Sequence, residues 1–155
     1  MEDASSPDGV TVRRAMPADA VAMAEVAAAA YAAYVPRMGG QRPAPMDDDY
    51  AALVGSHEAW VAASDSGEIG GFLVLDGELL ENVAVRPSWQ GRGVGRRLLA
   101  LAEERVRLSG GGSIRLHTNE AMVENQRLYE RIGYVETGRR SESGFARVFY
   151  EKRLT

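Results

Sequence analysis

The stretch Leu79-Leu80-Glu81-Asn82-Val83-Ala84-Val85-Arg86-Pro87-Ser88-Trp89-Gln90-Gly91-Arg92-Gly93-Val94-Gly95-Arg96-Arg97-Leu98 decides how the rest of the chain reads. Leu79 to Val85 is a strand, rich in β-branched and apolar residues, and Pro87 stops it. Gly91, Gly93 and Gly95 make a turn that opens a helix over Gly95 to Ser109. That helix carries Leu98, Leu99, Ala102 and Val106 on one face and is closed by Gly110-Gly111-Gly112. Glycines let backbone approach a ligand closely and take positive φ. The first amides of a helix have no internal partner and lie at the positive end of its dipole. Together they make a seat for a phosphate or pyrophosphate, with Arg92, Arg96 and Arg97 adding positive charge. The competing reading is a plain strand-to-helix turn with solvated arginines, and glycine spacing alone does not separate the two.

Two common phosphate loops do not fit. A P-loop needs Gly-Lys followed by Ser or Thr, and here Gly95-Arg96-Arg97 stands instead. A dinucleotide fingerprint closes with a third glycine, where Gly91-x-Gly93 meets Arg96 and Gly93-x-Gly95 meets Leu98. The preceding strand also belongs to a run of hairpins. Ala59 to Ala62, Ile69 to Leu75 and Leu79 to Val85 are strands joined by Asp65-Ser66-Gly67-Glu68 and Asp76-Gly77, which read as tight turns of an antiparallel meander.

Upstream, Thr11 to Arg13 is a short strand, and Met16-Pro17-Ala18-Asp19 starts a helix whose core residues include Ala20, Met23, Ala24 and Ala27. Tyr34 to Met46 holds three prolines and Gly39-Gly40 and reads as a long loop; Asp47 to Val54 is a second short helix. Downstream come a strand over Ser113 to His117, a helix over Ala121 to Ile132, and a final strand pair, Tyr134 to Thr137 and Phe145 to Lys152. The expected fold is α/β (mixed α+β), a mostly antiparallel central sheet flanked by helices in the order β-α-α-β-β-β-α-β-α-β-β.

The 155 residues suit one domain over 10–155, after an N-terminal segment, 1–9, expected to be disordered. The chain is 45% hydrophobic and 26% charged, which is average for a soluble domain. No apolar run approaches the roughly 20 residues of a membrane span. Met1 to Val10 lacks the basic head and apolar middle of a secretory signal, so a cytoplasmic location is the default. The absence of cysteine excludes disulfides, thiolate metal sites and a Cys nucleophile. A net charge of −4 speaks against nucleic acid as a partner.

Val83-Ala84-Val85-Arg86-Pro87 followed by Gln90-Gly91-Arg92-Gly93-Val94-Gly95 resembles the signature of the GNAT superfamily of acyl-CoA-dependent N-acetyltransferases. Asn125-Gln126-Arg127-Leu128-Tyr129-Glu130-Arg131-Ile132-Gly133-Tyr134 is similar to the family's Leu-Tyr-x-x-x-Gly-Phe/Tyr segment, one helix and one strand downstream. The resemblance covers Gly70 to Tyr150. It implies that amides from Gly91 to Arg96 hold the coenzyme's pyrophosphate, with Gln90 opening the motif. Val83, Ala84 and Val85 then form a splayed edge that pairs with the pantetheine arm, and the Val83 amide faces the thioester oxygen. The side chains of Val83 and Val85 read equally well as strand core.

The same resemblance makes Tyr129 the acid that protonates the leaving thiolate, a transfer between a phenol near pKa 10 and a thiol near about 8.5. On its residues alone Tyr129 also reads as core, beside Leu128 and Ile132. Glu81, two residues before Val83 in a strand, is expected on the same sheet face, where a carboxylate would deprotonate the acceptor amine; it also reads as a solvated strand residue. His117 competes for that task. For a coenzyme contact by a side-chain amide, Asn125 and Asn119 are both candidates. Many family members carry their asparagine seven residues before the tyrosine, where this chain has Met122.

The resemblance further implies an acceptor between the first helical region and the last strand pair, near Tyr31, Tyr34, Arg37 and Met46 to Tyr50, with Arg139 to Phe145 opposite. Tyr34 and Arg37 suit an acceptor bearing a carboxylate. Asp47-Asp48-Asp49 would instead attract a cation, unless these residues merely serve a helix's first turn. The two readings demand opposite acceptor charge. The function implied is acetyl transfer from acetyl-CoA to a primary amine of a small molecule or peptide, by direct attack, with no metal. The alternative is a non-catalytic acyl-CoA sensor or partner domain of the same fold. A homodimer is expected only because many relatives of this kind form one.

Overall fold

The computed structural model describes residues 9–155, so most of the segment expected to be disordered lies outside the described residues. The strands are β1 (Thr11–Arg14), β2 (Glu58–Ala63), β3 (Ile69–Asp76), β4 (Leu79–Val85), β5 (Ser113–Asn119), β6 (Val135–Glu142) and β7 (Phe145–Arg153). The helices are α1 (Ala20–Tyr31), a single turn α2 (Tyr34–Arg37), α3 (Tyr50–Ser56), α4 (Val94–Leu108) and α5 (Val123–Arg131). The strands form one sheet in the order β1-β2-β3-β4-β5-β7-β6. All neighbours are antiparallel except β4 and β5. This is the mixed, mostly antiparallel architecture expected, with element bounds shifted by a few residues.

Each face of the sheet carries its own core. Met23, Val26 and Ala27 of α1 pack on Ala59, Val61, Phe72 and Val74. Leu98, Leu99, Ala102 and Val106 of α4 pack on Trp60, Ala62, Leu73 and Leu75. Neighbouring residues of β2 and β3 thus serve opposite cores, which is why both strands read as unbroken apolar runs. Burying a side chain such as Leu98, at 0% exposure, contributes about 2 kcal/mol.

Several expectations shift. Ala24 is exposed, and Val26 takes the core position instead, because a 3-10 turn over Pro17–Asp19 delays the start of α1 and turns its buried stripe to Met23, Val26, Ala27 and Tyr31. Asp19 holds that turn: its carboxylate takes the Met16 amide at 2.8 Å and both Arg13 guanidinium nitrogens, which keeps the carboxyl below its usual range. The presumed loop Tyr34 to Met46 contains α2 and part of a 3-10 turn, Ala44–Asp47. The second helix starts at Tyr50 rather than Asp47. Asp49 is its N-cap and accepts from the Ala52 amide at 3.1 Å, whereas Asp47 and Asp48 precede the helix.

Two bulges set the facing of β3 and β4. On β3, Ala62 pairs with Gly71 and Ala63 with Ile69, leaving Gly70 unpaired. On β4, Val74 pairs with Asn82 and Leu75 with Leu80, leaving Glu81 as the extra residue. The second bulge inverts the alternation of β4: Leu80 belongs to the α4-side core, while Ala84 belongs to the α1-side core and Asn82 bonds to the tyrosines packed there.

Candidate active site

Beyond the bulge, β4 and β5 separate. Among the described residues their pairing consists of Leu79 opposite Arg115. The gap is a cleft of about 580 Å³ of atom-free space, its open mouth included, lined by Tyr31, Glu81, Val83, His117, Asn125 and Tyr129 among others. The Arg86 amide bonds back to Gly70 O at 2.7 Å. Strand alternation from that point turns the N–H and C=O groups of Val83 and Val85 away from β3, into the opening. Their carbonyls confirm the direction: Val83 O accepts from the Tyr31 hydroxyl at 3.2 Å and Val85 O from Gln90 Nε2 at 3.1 Å. Ala84, buried in the α1-side core, pairs with Phe72 of β3.

The glycine turn lies at the end of the same edge. Gly91 and Gly93 have φ of 80° and 81°, and a Cβ at either would meet nothing within 4 Å. This left-handed backbone folds the chain back into α4, which begins at Val94 with Gly93 as N-cap and no side-chain cap bond. The first amides of α4, from Val94, Gly95 and Arg96, are therefore left to an external partner. Arg92 lies with its guanidinium 5.2 Å from the ring centre of Trp89, and Arg96 is exposed. The donors, the dipole and the arginines fit an anionic diphosphate.

Tyr129, on α5, lies between the Tyr134 and Tyr150 rings, at 5.7 and 6.0 Å between centroids. Its phenol donates no hydrogen bond to any described residue, and burial pushes its pKa well up, helped by Tyr34 and Tyr150. Burial thus favours the protonated phenol. Asn125 lines the same cleft with its amide 3.6 Å from Met122 Sδ. Asn119 also lines it, but its side chain accepts from the Ala121 amide at 2.9 Å.

Glu81 reaches the cleft by another route than expected. A regular strand would put it on the face of Val83, but the bulge turns it to the opposite side. There its carboxylate lies 2.7 Å from His57 Nε2 just past the end of α3, while Val83 packs against the α4-side core. His117 also lines the cleft, and burial, followed by nearby Arg147, lowers its pKa.

The acceptor residues divide. Tyr31 lines the cleft, its buried hydroxyl 2.9 Å from Asn82 Oδ1. Tyr34 and Arg37 are not among the lining residues: the Arg37 fork holds Glu124 at 2.7 and 2.8 Å and lies 5.1 Å from the Tyr34 ring centre. Asn82 escaped the sequence reading. Its amide links the Tyr31 and Tyr50 hydroxyls, and Tyr50 in turn holds Pro45 O, which ties the segment around Ala44 over the cleft. A buried polar residue in an apolar strand needs such partners, and that was the available signal.

A family model described as an acetyltransferase (GNAT) domain matches residues 55–136. Over 80 residues the chain is 31% identical to the peptidyl-lysine N-acetyltransferase YjaB of Salmonella typhimurium, a stretch covering 52% of each chain. The chain thus spans about half the length of that curated relative. The GCN5-related N-acetyltransferase from Rhodopseudomonas palustris superposes with a TM-score of 0.79 at 24% identity, over 92% of this chain and 94% of that one. The yncA protein of Salmonella typhimurium, solved with its cofactor acetyl-CoA, gives a TM-score of 0.69 at 20% identity, over 94% of both chains. At these identities the structural likeness is one of fold.

Proposed function

Because the chain belongs to the GNAT acetyltransferases, we propose that it moves an acetyl group from acetyl-CoA to a primary amine of a small molecule or peptide. The observation that carries this reading is one cleft holding both an open β4 edge and a buried, unengaged phenol on Tyr129. Amides from Gly91 to Arg96 bind the diphosphate, and the Val83 and Val85 groups pair with the pantetheine amides. This places the thioester carbonyl at the Val83 N–H.

The steps balance without a covalent enzyme intermediate. A carboxylate oxygen of Glu81 takes a proton from the ammonium group, freeing the nitrogen lone pair. The nitrogen attacks the thioester carbon and negative charge gathers on the carbonyl oxygen, where the Val83 amide donates. The C–S bond then breaks as the carbonyl re-forms, and the Tyr129 phenol protonates the departing thiolate. Solvent reprotonates Tyr129 and takes the proton from Glu81. Burial keeps the proton on Tyr129 in the resting site, and it also makes the phenol a weaker acid than a free one toward the departing thiolate.

The test is thiol release from acetyl-CoA with a panel of amino acids, polyamines, aminoglycosides and lysine peptides. Tyr129→Phe is expected to lower kcat by about 100-fold, the low end for one acid catalyst, with acetyl-CoA affinity kept. A variant at full rate would remove Tyr129 from the mechanism. Coenzyme binding without turnover on any amine would select the sensor reading instead.

A further inference from the structure

We propose that His57 is the positioning residue for Glu81, holding one carboxylate oxygen so that the other faces the acceptor amine. The inference rests on the reading of Glu81 as the base. Glu81 is the bulge residue of β4, so neither neighbouring strand fixes it by regular pairing. Its side chain is 35% exposed and would otherwise be free to turn. What orients it is His57 Nε2, 2.7 Å from Glu81 Oε2.

The imidazole is itself held. His57 follows α3, its amide bonded to Leu53 O at 2.9 Å. Its Nδ1 lies 2.7 Å from Ser56 Oγ, and Ser56 Oγ lies 2.8 Å from Ala52 O. These contacts settle where the ring proton sits. Nε2 faces Glu81 and, at 3.9 Å, Asp76; a nitrogen lone pair aimed at two carboxylates is repulsive, so Nε2 bears the hydrogen. In the neutral ring the Ser56 hydroxyl donates to Nδ1. In the charged ring Nδ1–H donates to Ser56 Oγ, and the hydroxyl turns to Ala52 O. The serine can serve either ring nitrogen arrangement without any heavy atom moving, so the N–H directed at Glu81 is kept in both.

Glu81 Oε2 is thus occupied by a donor and Oε1 is left for the amine. Asp76, 66% exposed and farther away, contributes little. The role is one of geometry, not of carrying the proton, which separates it from a relay. A donor of the same reach that cannot titrate should replace it, and glutamine places an amide N–H near the Nε2 position.

The experiment measures kcat and both KM values for His57→Ala, His57→Gln, Asp76→Asn, Glu81→Gln and the Glu81→Gln/His57→Ala double variant, each checked for folding by its melting curve. His57→Ala is expected to lose about 10-fold or more in kcat, the scale of a misplaced catalytic group, with KM for acetyl-CoA unchanged. His57→Gln should recover to within about 3-fold of wild type, Asp76→Asn should match wild type, and His57→Ala should add nothing on the Glu81→Gln background. A folded His57→Gln as impaired as His57→Ala overturns positioning. If Glu81→Gln is slow but His57→Ala is not, this inference fails alone; if Glu81→Gln keeps full rate, the base assignment fails with it.

Discussion

Gly70→Ala should damage both the fold and the coenzyme site, although a single methyl is added far from any reacting atom. Gly70 is the unpaired residue of the β3 bulge, directly beneath Trp89. A Cβ there would lie 2.0, 2.2 and 2.3 Å from three atoms of the indole, against an optimum of about 3.5–4.0 Å between carbons. The ring must retreat by about 1.5 Å to reach that optimum, and at 5% exposure it is enclosed by core. Trp89 closes the turn Pro87–Trp89, two residues before Gly91, and Arg92 lies over it. Moving the ring therefore moves the glycine turn. Overpacking costs about 1–3 kcal/mol, and a rigid indole with no side path belongs at the upper end. At about 2–4 °C per kcal/mol for a chain of this size, Tm should fall by roughly 6–12 °C. Calorimetry gives the Tm, tryptophan emission reports indole exposure, and isothermal titration gives the acetyl-CoA affinity, expected to fall at least 10-fold. Gly55→Ala is the control: it lies in α3 with nothing near its Cβ position, and alanine there should be neutral or stabilising by about 1 kcal/mol. Gly70→Ala with unchanged Tm and affinity would refute the link between the bulge and the turn.

Gly93→Asp should raise the acetyl-CoA Kd by more than about 100-fold, because it sets a carboxylate in the diphosphate seat. The left-handed φ costs about 1–2 kcal/mol, so Tm drops by only a few degrees; Gly93→Ala, strained but uncharged, should bind much better. Equal affinity in the Asp variant removes the turn from the coenzyme site. Separately, the Arg37 fork holds the Glu124 carboxyl down at about 2. Since that folded value lies below the ordinary glutamate range, the bridge is intact above that range and is lost as pH falls toward 2. An NMR titration of the Glu124 carboxyl carbon should show this midpoint, and Arg37→Ala should return it to the ordinary range; an unmoved midpoint would mean the bridge does not form in solution.

Most of the sheet was legible because its signals are local. Asp76-Gly77 and Ser66-Gly67 mark turns, Pro87 marks a strand end, and the apolar period of α4 needs no knowledge of its partner. The errors fall where a residue answers to something distant. In an alanine-rich stretch such as α1 every register looks alike, and Val26 reaches the core only because the Asp19–Arg13 contact fixes where the helix begins. Arg37 read as an acceptor group because nothing in its neighbourhood foretells Glu124, 87 residues away.

The facing of the β4 side chains was not legible, and the reason is one inserted residue. Leu79 to Val85 counts as a regular strand until β3 pairs with it. Then Glu81 is the residue too many, and every side chain before it changes face relative to those after. Glu81-Asn82 is a polar pair inside an apolar strand, so a perfect alternation would have to leave one of them facing a core. The bulge resolves this by giving Asn82 the Tyr31 and Tyr50 hydroxyls and Glu81 the imidazole of His57. It falls just past Leu79, where β4 parts from β5. One irregularity thus lies where the Val83 and Val85 groups turn into the gap, which the proposed function gives to the coenzyme, and it sends the Glu81 carboxylate to the opposite side of the same gap. Deleting Glu81 tests this: Leu80 and Asn82 would become consecutive residues of a regular strand, keeping their partners Leu75 and Val74 and their faces, so the fold should persist while acetyl-CoA affinity and activity both fall, whereas Glu81→Gln should keep the affinity and lower only the rate.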